Sequence, residues 1–261
     1  MQPLNLSAPT SWSELSQEQL RFLLRTIVAV NRTNSGRAFD SRDDFAAHTA
    51  AQVAVYCLFR WNGVSVLTPY ADAWLVAHDG RELVISADDI AAATSFLSWT
   101  AETPSSPVRL HHIDGADAVE ASLDDDFSFD DWLSCETLWQ GYQATQNTDF
   151  LRQMAEILYR KPGISLREYE ILSIFYWWAG LKSECSRLYS YFLRPSAPSE
   201  NTPEVTQDSL RRNIDAQIRA LTKGDITKEA TILSLPAHRA LTELDALARE
   251  YDELNRKSPS K

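Results

Sequence analysis

Apolar residues recur along much of this chain at the alternating three- and four-residue spacing that marks one face of an α-helix. The richest region runs from Phe127 to Phe192 and holds 15 of the 27 aromatic residues of the chain. Because buried aromatic side chains carry large apolar areas, we expect the fold to be anchored here. The series that predicts a long helix with one apolar seam comprises Ile171, Ile174, Trp178, Leu181, Cys185, Leu188 and Phe192.

Shorter series of the same kind predict further helices, and serine residues precede several of them as N-caps. Ser16 and Gln19 have the spacing of a capping box. Ser41, Ser86 and Ser128 are each followed by acidic residues that suit the positive end of a helix dipole. The first helix has the apolar face Leu20, Leu23, Ile27 and Val30, and the second has Phe45, Thr49, Gln52 or Val53, Tyr56 and Phe59.

One region has the pattern of a β-hairpin instead. Two short apolar runs, 74–77 and 81–85, flank the dipeptide Asp79-Gly80, which favours a tight two-residue turn. The sequence therefore predicts a mainly α protein, a helical bundle with one small β-hairpin near residues 73–86 and a C-terminal helical extension.

A change in composition divides the chain after the aromatic region. Residues 1–195 are predicted to form a helical core domain that includes the hairpin, and residues 196–205, rich in Ser and Pro, to form a linker. Residues 206–257 are predicted to be a helical segment that either folds back or docks on a partner. Its two apolar stripes are Leu210, Ile214, Ile218 and Leu221, and Leu241, Leu244, Ala248 and Tyr251, with Leu247 and Leu254 beside the second.

Charge and cysteine content restrict the class of protein. The formal net charge of −11 disfavours nucleic acid as a partner, because nucleic-acid-binding surfaces are basic. The most apolar run, 171–181, is far shorter than a membrane helix, and the N-terminus lacks the pattern of a secretion signal. Three widely spaced cysteines indicate reduced, buried thiols. We expect a cytoplasmic protein without a membrane partner.

The segment from Leu110 to Leu151 contains no Lys or Arg but ten acidic residues. Its first part belongs to a Pro- and Gly-containing region, 102–126, which predicts irregular structure or a mobile loop. The acidic residues in 114–131, with His111 and His112, could bind a cation and serve a metal-dependent hydrolase. Alternatively, an acidic surface could mimic nucleic acid in a regulatory protein.

The residue patterns argue against an enzyme. Adjacent His side chains on an extended segment point to opposite faces, and the acids lack the alternation of a calcium-binding loop. Glu136, between Trp132 and Trp139 on one helix face, is expected at the edge of that face near solvent or a basic residue. No nucleotide-binding loop, nucleophile elbow or zinc-protease motif is present. We therefore predict no catalytic residue, no metal site and no cofactor.

Part of the chain resembles phage and prophage-type proteins of a tail-assembly-associated family. The resemblance lies in the acidic-aromatic helix start at 129–133 and in the phrase Ile157-Leu158-Tyr159-Arg160-Lys161-Pro162. It extends to Trp12-Ser13-Glu14-Leu15 and to the segments 218–229 and 239–244. The resemblance implies a non-enzymatic morphogenesis protein, a tail or virion assembly factor that binds another protein, such as a phage structural protein.

Three regions are the predicted contacts for such a partner, and the first is the loop at 102–126. Trp177 lies on the long helix but off its apolar seam, which makes it a candidate for partner binding. The second stripe of the C-terminal segment supplies the other candidates, Leu241, Leu244, Leu247 and Tyr251. A protein that captures partner helices would present an exposed apolar surface and no convergence of polar groups.

Overall fold

The structure is a computed structural model that describes residues 6–124, 126–194 and 207–257. The predicted linker at 196–205, the side chain of Leu210 and one of the acidic residues, Asp125, lie outside the described residues. The division into domains at the linker therefore stays a prediction.

The described part of the chain is mainly α, as predicted, with small antiparallel sheets. The helices are α1 (Gln17–Asn34), α2 (Arg42–Trp61), α3 (Ala87–Thr94), α4 (Phe129–Thr145), α5 (Asp149–Leu158), α6 (Glu168–Leu188), α7 (Gln207–Thr222), α8 (Glu229–Leu233) and α9 (Ala237–Lys257). The strands are β1 (Ser65–Pro69), β2 (Ala73–His78), β3 (Arg81–Ser86), β4 (His112–Ile113) and β5 (Ala116–Asp117). Short 3-10 turns occur at Trp12–Glu14, Ser95–Ala101 and Ile226–Lys228.

The chain forms two compact units that do not coincide with contiguous halves of the sequence. Unit 1 comprises Met1–Pro104 and Glu168–Ser173, and unit 2 comprises Ser105–Arg167 and Ile174–Lys261. Helix α6 therefore contributes its first residues to unit 1 and the rest to unit 2.

In unit 1, α1 and α2 pack against each other as a helical hairpin. The capping box at Ser16 and Gln19 is formed as predicted, and Ser41 caps α2. The predicted apolar face of α1 is buried. On α2 the buried stripe passes through Thr49, Val53, Ala54, Cys57 and Leu58.

The predicted face of α2 is therefore only partly correct. Thr49, Val53 and Phe59 are buried, but Tyr56 is 56% exposed. Because each helix residue is rotated by about 100° from the last, Tyr56 lies beside the stripe that faces α1. Its ring remains on the surface of unit 1.

The predicted β-hairpin is confirmed as β2 and β3, paired from Ala73 with Ser86 to His78 with Arg81. Asp79 and Gly80 both have positive φ, as a two-residue turn with the twist of a hairpin requires. The sequence pattern missed β1, which adds to the free edge of β2. All five residues of β1 are exposed, so the strand has no alternation of buried and exposed positions to reveal it.

In unit 2, the apolar seam of α6 is buried from Ile174 to Cys185. Trp178 packs against Trp132 of α4 with ring centroids 5.2 Å apart. The prediction fails at the end of the seam, because Leu188 is exposed and the helix ends there, before Phe192.

The region 102–126 is irregular, as expected, but its described residues are anchored in unit 2 beyond Pro104. The short β4 and β5 pair within it, and Leu110, Ile113, Val119 and Leu123 are buried. The backbone N–H of Val119 also donates to the carbonyl of Leu158 at 3.0 Å.

The C-terminal helices fold back within unit 2. The N–H of Phe129 donates to Leu235 O, and the N–H of Ala237 donates to Phe127 O, both at 2.8 Å. These bonds place the start of α9 against the start of α4, where Leu241 and Leu244 are buried. Of the two predicted arrangements, folding back describes this half of α9.

Candidate functional site

Three consecutive residues, Tyr159, Arg160 and Lys161, hold the acidic segment of unit 2 in place. The Tyr159 hydroxyl is buried and donates to Leu110 O at 2.6 Å. Arg160 donates to both carboxylate oxygens of Asp131 at 2.9 Å, and also to the carbonyl of Asp126. Lys161 pairs with Asp114 at 2.8 Å. Three consecutive residues thus fix three separate points of the acidic segment.

These contacts set the charge states of two carboxylates. The hydrogen bond from Lys161, together with the N–H of Ser165, lowers the pKa of Asp114. Burial raises the pKa of Asp131, but the bonds from Arg160 and Ser128 outweigh it and leave that pKa below its ordinary value. Both carboxylates are therefore held in their charged form by contacts within the fold.

The acidic residues do not converge on a cation site. Asp117 pairs with His112 at 3.0 Å, and Glu136 pairs with Lys182 at 2.9 Å. Glu136 therefore lies beside a basic neighbour, as the sequence suggested. Across the described ranges, no three His, Cys, Asp or Glu residues are grouped so that they could hold a metal ion. The convergence that a metal-dependent hydrolase needs is not formed by the described acids of 114–131.

The acidic side chains also differ in exposure. Glu120, Asp124, Asp126 and Asp130 are exposed, whereas Asp131 and Glu136 are half-buried within ion pairs. A nucleic-acid mimic would need these acids on one continuous exposed face. Asp114, Asp117 and Asp149 are exposed as well, so most of the described acids lie at the surface and this alternative stays a prediction.

The three thiols are buried. Burial raises the pKa of Cys57 and of Cys185 to about 12, and it raises the pKa of Cys135 well above its usual value. The thiolate, which is the nucleophilic form, is therefore disfavoured at all three positions near neutral pH.

The predicted partner-binding residues occupy different environments. Trp177 is fully buried, its indole N–H donates to Ala121 O at 2.8 Å, and its ring meets Tyr159 edge to face. Leu241 and Leu244 are also buried in unit 2. Leu247 is half-buried, and Tyr251 is 67% exposed. Only the last two present surface to a partner, and partner binding through this stripe stays a prediction.

Another apolar surface lies on unit 1, where the sequence did not predict a site. A cavity of about 440 Å³, here called the strand-side groove, lies between α2 and the sheet. Its lining includes Ala51, Val55, Tyr56, Phe59, Val66 and Trp74. Val66 and its neighbour Leu67 on β1 are both nearly half exposed.

A second cavity of about 470 Å³, here called the helix-side groove, lies on the other side of α2, against α3 and the following 3-10 turn. Its lining includes Ala50, Ala51, Ala54, Ala87, Ile90 and Ala91. The two grooves share Ala51 and Val55, so together they form one surface astride α2. Among the residues that the structure describes, no Asp, Glu, Lys or Arg lines either groove.

The sequence contained a signal for this surface. Residues 61–71 contain no charged residue, and alanines recur on α2 at Ala46, Ala47, Ala50, Ala51 and Ala54. Small residues predict close approach of a neighbouring element, but they do not say whether it belongs to the same chain.

Comparison with protein-family models, curated proteins and solved structures finds no match for this chain. Within the described ranges, no helix has both the length and the apolar character required to cross a membrane. The site must therefore be interpreted from its own chemistry.

Proposed function

We propose that this protein is a non-enzymatic assembly factor of the phage morphogenesis type that binds an amphipathic helix of a partner protein. The partner helix lies across the two grooves of unit 1. One observation carries the proposal: the grooves adjoin at Ala51 and Val55, and the described residues that line them include no Asp, Glu, Lys or Arg. Exposed apolar surfaces of this kind mark protein-binding sites.

The shape of the surface favours a helix over a strand. The β1 edge has an irregular register between Val66 and Thr68, and it ends in Pro69, which has no N–H to donate. A partner strand would therefore find a broken ladder. The alanines of α2 and α3 instead line the helix-side groove, and their small side chains leave room for large apolar side chains spaced three and four residues apart on a helix.

The biological setting rests on the resemblance to phage and prophage-type proteins. In that setting the partner is a structural protein of the virion or tail, and this chain holds one of its helices during assembly. The pairing of the acids with Lys161, Arg160 and Lys182 supports a binding protein over the hydrolase alternative.

A photo-crosslinking amino acid at Tyr56 tests the site in cells that produce the full chain. We expect a crosslink to another protein whose modified residues repeat at helical spacing. The same amino acid at Tyr251, also exposed but on α9, is the matched control. If only the probe at Tyr251 forms crosslinks, the partner binds the C-terminal stripe and not the grooves. If the probe at Tyr56 crosslinks only to a second copy of this chain, the grooves mediate self-association and the proposal is wrong.

Substitution then measures the contribution of the grooves to binding the identified partner. Ala51→Glu places a carboxylate at the shared centre of both grooves, whereas Ala46→Glu adds the same charge at an exposed α2 position that lines neither groove. Burying an unpaired carboxylate is strongly unfavourable, so we expect Ala51→Glu to weaken binding about a hundredfold and Ala46→Glu to leave it unchanged. Equal effects of the two substitutions would contradict the proposal.

A further inference from the structure

Unit 1 also contains a pocket of a different chemistry. It has a volume of about 430 Å³ and lies between the start of α1 and the end of α2. Its lining includes Arg21, Arg25 and Arg60, together with Phe22 and Trp61. This grouping of three arginines contrasts with the net charge of −11 of the whole chain.

Two of the three guanidinium groups are held by aromatic rings and not by carboxylates. Arg25 lies 4.7 Å from the ring centroid of Tyr169 and donates to its hydroxyl at 3.1 Å. Arg60 lies 5.9 Å from the ring centroid of Phe22. Among the described residues, neither Arg25 nor Arg60 forms an ion pair. A guanidinium stacked on a ring keeps N–H donors at its edge for another acceptor.

Two acids near the pocket offset the charge of the three arginines only in part. Arg21 approaches the buried Glu170 at 3.9 Å, and Glu18 also lines the pocket. Glu170 also accepts a hydrogen bond from the Tyr169 hydroxyl at 2.8 Å, which holds its carboxylate beside Tyr169. The N-terminal end of α1 adds positive potential, and the C-terminal end of α2 opposes it, which leaves the arginines as the main source of the field.

We infer that this pocket binds a small organic oxyanion, a phosphate or carboxylate attached to a flat ring. Planar guanidinium groups recognise both oxyanions through paired hydrogen bonds. Phe22 and Trp61 supply apolar walls for the ring, and the volume lies in the range of small-molecule sites. This binding is separate from the partner-helix site and does not depend on it.

Isothermal titration of the full chain at low salt tests the inference with two matched pairs of probes. Adenosine monophosphate is compared with adenosine, and benzoate with benzamide. We expect at least one anion to bind, with its neutral counterpart about tenfold weaker or undetectable. The pair that shows the difference identifies the oxyanion. Absence of binding by both anions up to about 10 mM, or equal binding of charged and neutral probes, would overturn the inference.

Arginine variants show whether the response belongs to this pocket. Arg60→Met keeps most of the stem but removes the charge, and we expect it to weaken the anion about tenfold. The anion affinity of Arg60→Lys should lie between those of the wild type and Arg60→Met. The control is Arg37→Met, which removes an exposed charge of unit 1 outside the pocket. If Arg37→Met weakens binding as much as Arg60→Met, the effect is one of general charge and the pocket assignment is wrong. Thermal unfolding of each variant verifies that the fold is intact.

Discussion

At the scale of single residues, Gly180 shows how tightly unit 2 is packed. An added Cβ at this position of α6 would lie 2.3 Å from the carbonyl oxygen of Ser106. The obstacle is backbone, so it cannot move aside as a flexible side chain would. We expect Gly180→Ala to lower the free energy of unfolding by about 3 kcal/mol, although alanine is the better helix former. Urea unfolding of the purified variant measures the effect.

Gly36 provides the matched control, because among the described residues no heavy atom beyond its two chain neighbours lies within 4 Å of an added Cβ there. Gly36→Ala should change stability by less than about 0.5 kcal/mol in the same assay. Similar losses in the two variants would mean that Ser106 does not lie against α6 as described.

The ion pair of Asp131 with Arg160 leads to a pH-dependent prediction. The pKa of Asp131 is lower in the folded chain than its ordinary value. The stabilisation is therefore fully present above the unfolded pKa, near 4, and is lost as the pH falls through the folded value. With Asp131 at 21% and Arg160 at 43% exposure, solvent screening limits the contribution to about 1–2 kcal/mol.

The measurement is the difference in unfolding free energy between the wild type and Asp131→Asn, from pH 7 down to the acid limit of the fold. The difference should be constant near neutral pH and shrink below about pH 4. Asp130→Asn, at an exposed neighbouring position, should give a small difference at every pH. If the difference in unfolding free energy between the wild type and Asp131→Asn persists in acid, the stabilisation comes from packing and not from charge.

For the ion pair of Asp131 with Arg160, the sequence predicts the local environment of Asp131 but not its partner. Ser128 caps α4 through Asp131, which local spacing could predict. Arg160 lies outside that local pattern, and only the folded chain brings it to Asp131. The same limit applied to Trp177, whose burial depends on Tyr159 and Ala121 and not on its position in the α6 seam.

Among the helices and strands, the elements predicted correctly are those whose own residues determine their local structure. The hairpin of β2 and β3 was specified by Asp79 and Gly80, whose positive φ values the turn requires. The exposed β1 carried no comparable signal, since its pairing is decided by β2. The grooves beside α2 were not predicted for a related reason. The spacing of apolar residues predicts a helix, but it does not show which part of the helix surface stays uncovered in the fold.

Helix α9 divides into a packed half and an exposed half, and this leads to a stability prediction. Leu241 is 2% exposed, whereas Leu254 is 65% exposed. Leu241→Ala should therefore lower the free energy of unfolding by about 3 kcal/mol, because it leaves a cavity at a buried site. Leu254→Ala should change it by less than about 0.5 kcal/mol. Thermal and urea unfolding of both variants decide the matter.

Removal of the exposed half extends the same test. A chain that ends after Ala248 loses the pair between Arg194 and Asp252 but keeps the buried leucines. We expect the shortened chain to remain folded and its free energy of unfolding to fall by about 1 kcal/mol or less, since exposed ion pairs contribute little to stability. If it unfolds, the distal part of α9 has a stabilising role that its exposure does not reveal.

At the scale of the whole molecule, the two units share α6 along the chain, and this could not be read from composition. The sequence predicts a division at a Ser- and Pro-rich linker, which lies outside the described residues, and the boundaries of the two compact units fall at Pro104 and within α6. Linkers are local features of a sequence, but compact units depend on contacts between distant segments. For this reason the number of cooperative units has to be measured.

The three buried thiols provide that measurement. Cys57 reports on unit 1, and Cys135 and Cys185 report on unit 2. In the native protein at pH 8 all three should be unreactive toward a thiol reagent, because burial raises their pKa values and blocks access. An added cysteine at the exposed position Ser35 should react at once and serves as the control for reagent activity.

In increasing urea we expect Cys57 and the two thiols of unit 2 to become reactive over the same range. Helix formation is cooperative, and loss of unit 1 would release the first residues of α6 and fray the helix on which unit 2 depends. Variants that keep one native cysteine each, with alanine at the other two positions, make the comparison direct. If Cys57 reacts at a clearly lower urea concentration than Cys135 and Cys185, the units unfold independently and the continuity of α6 does not couple them.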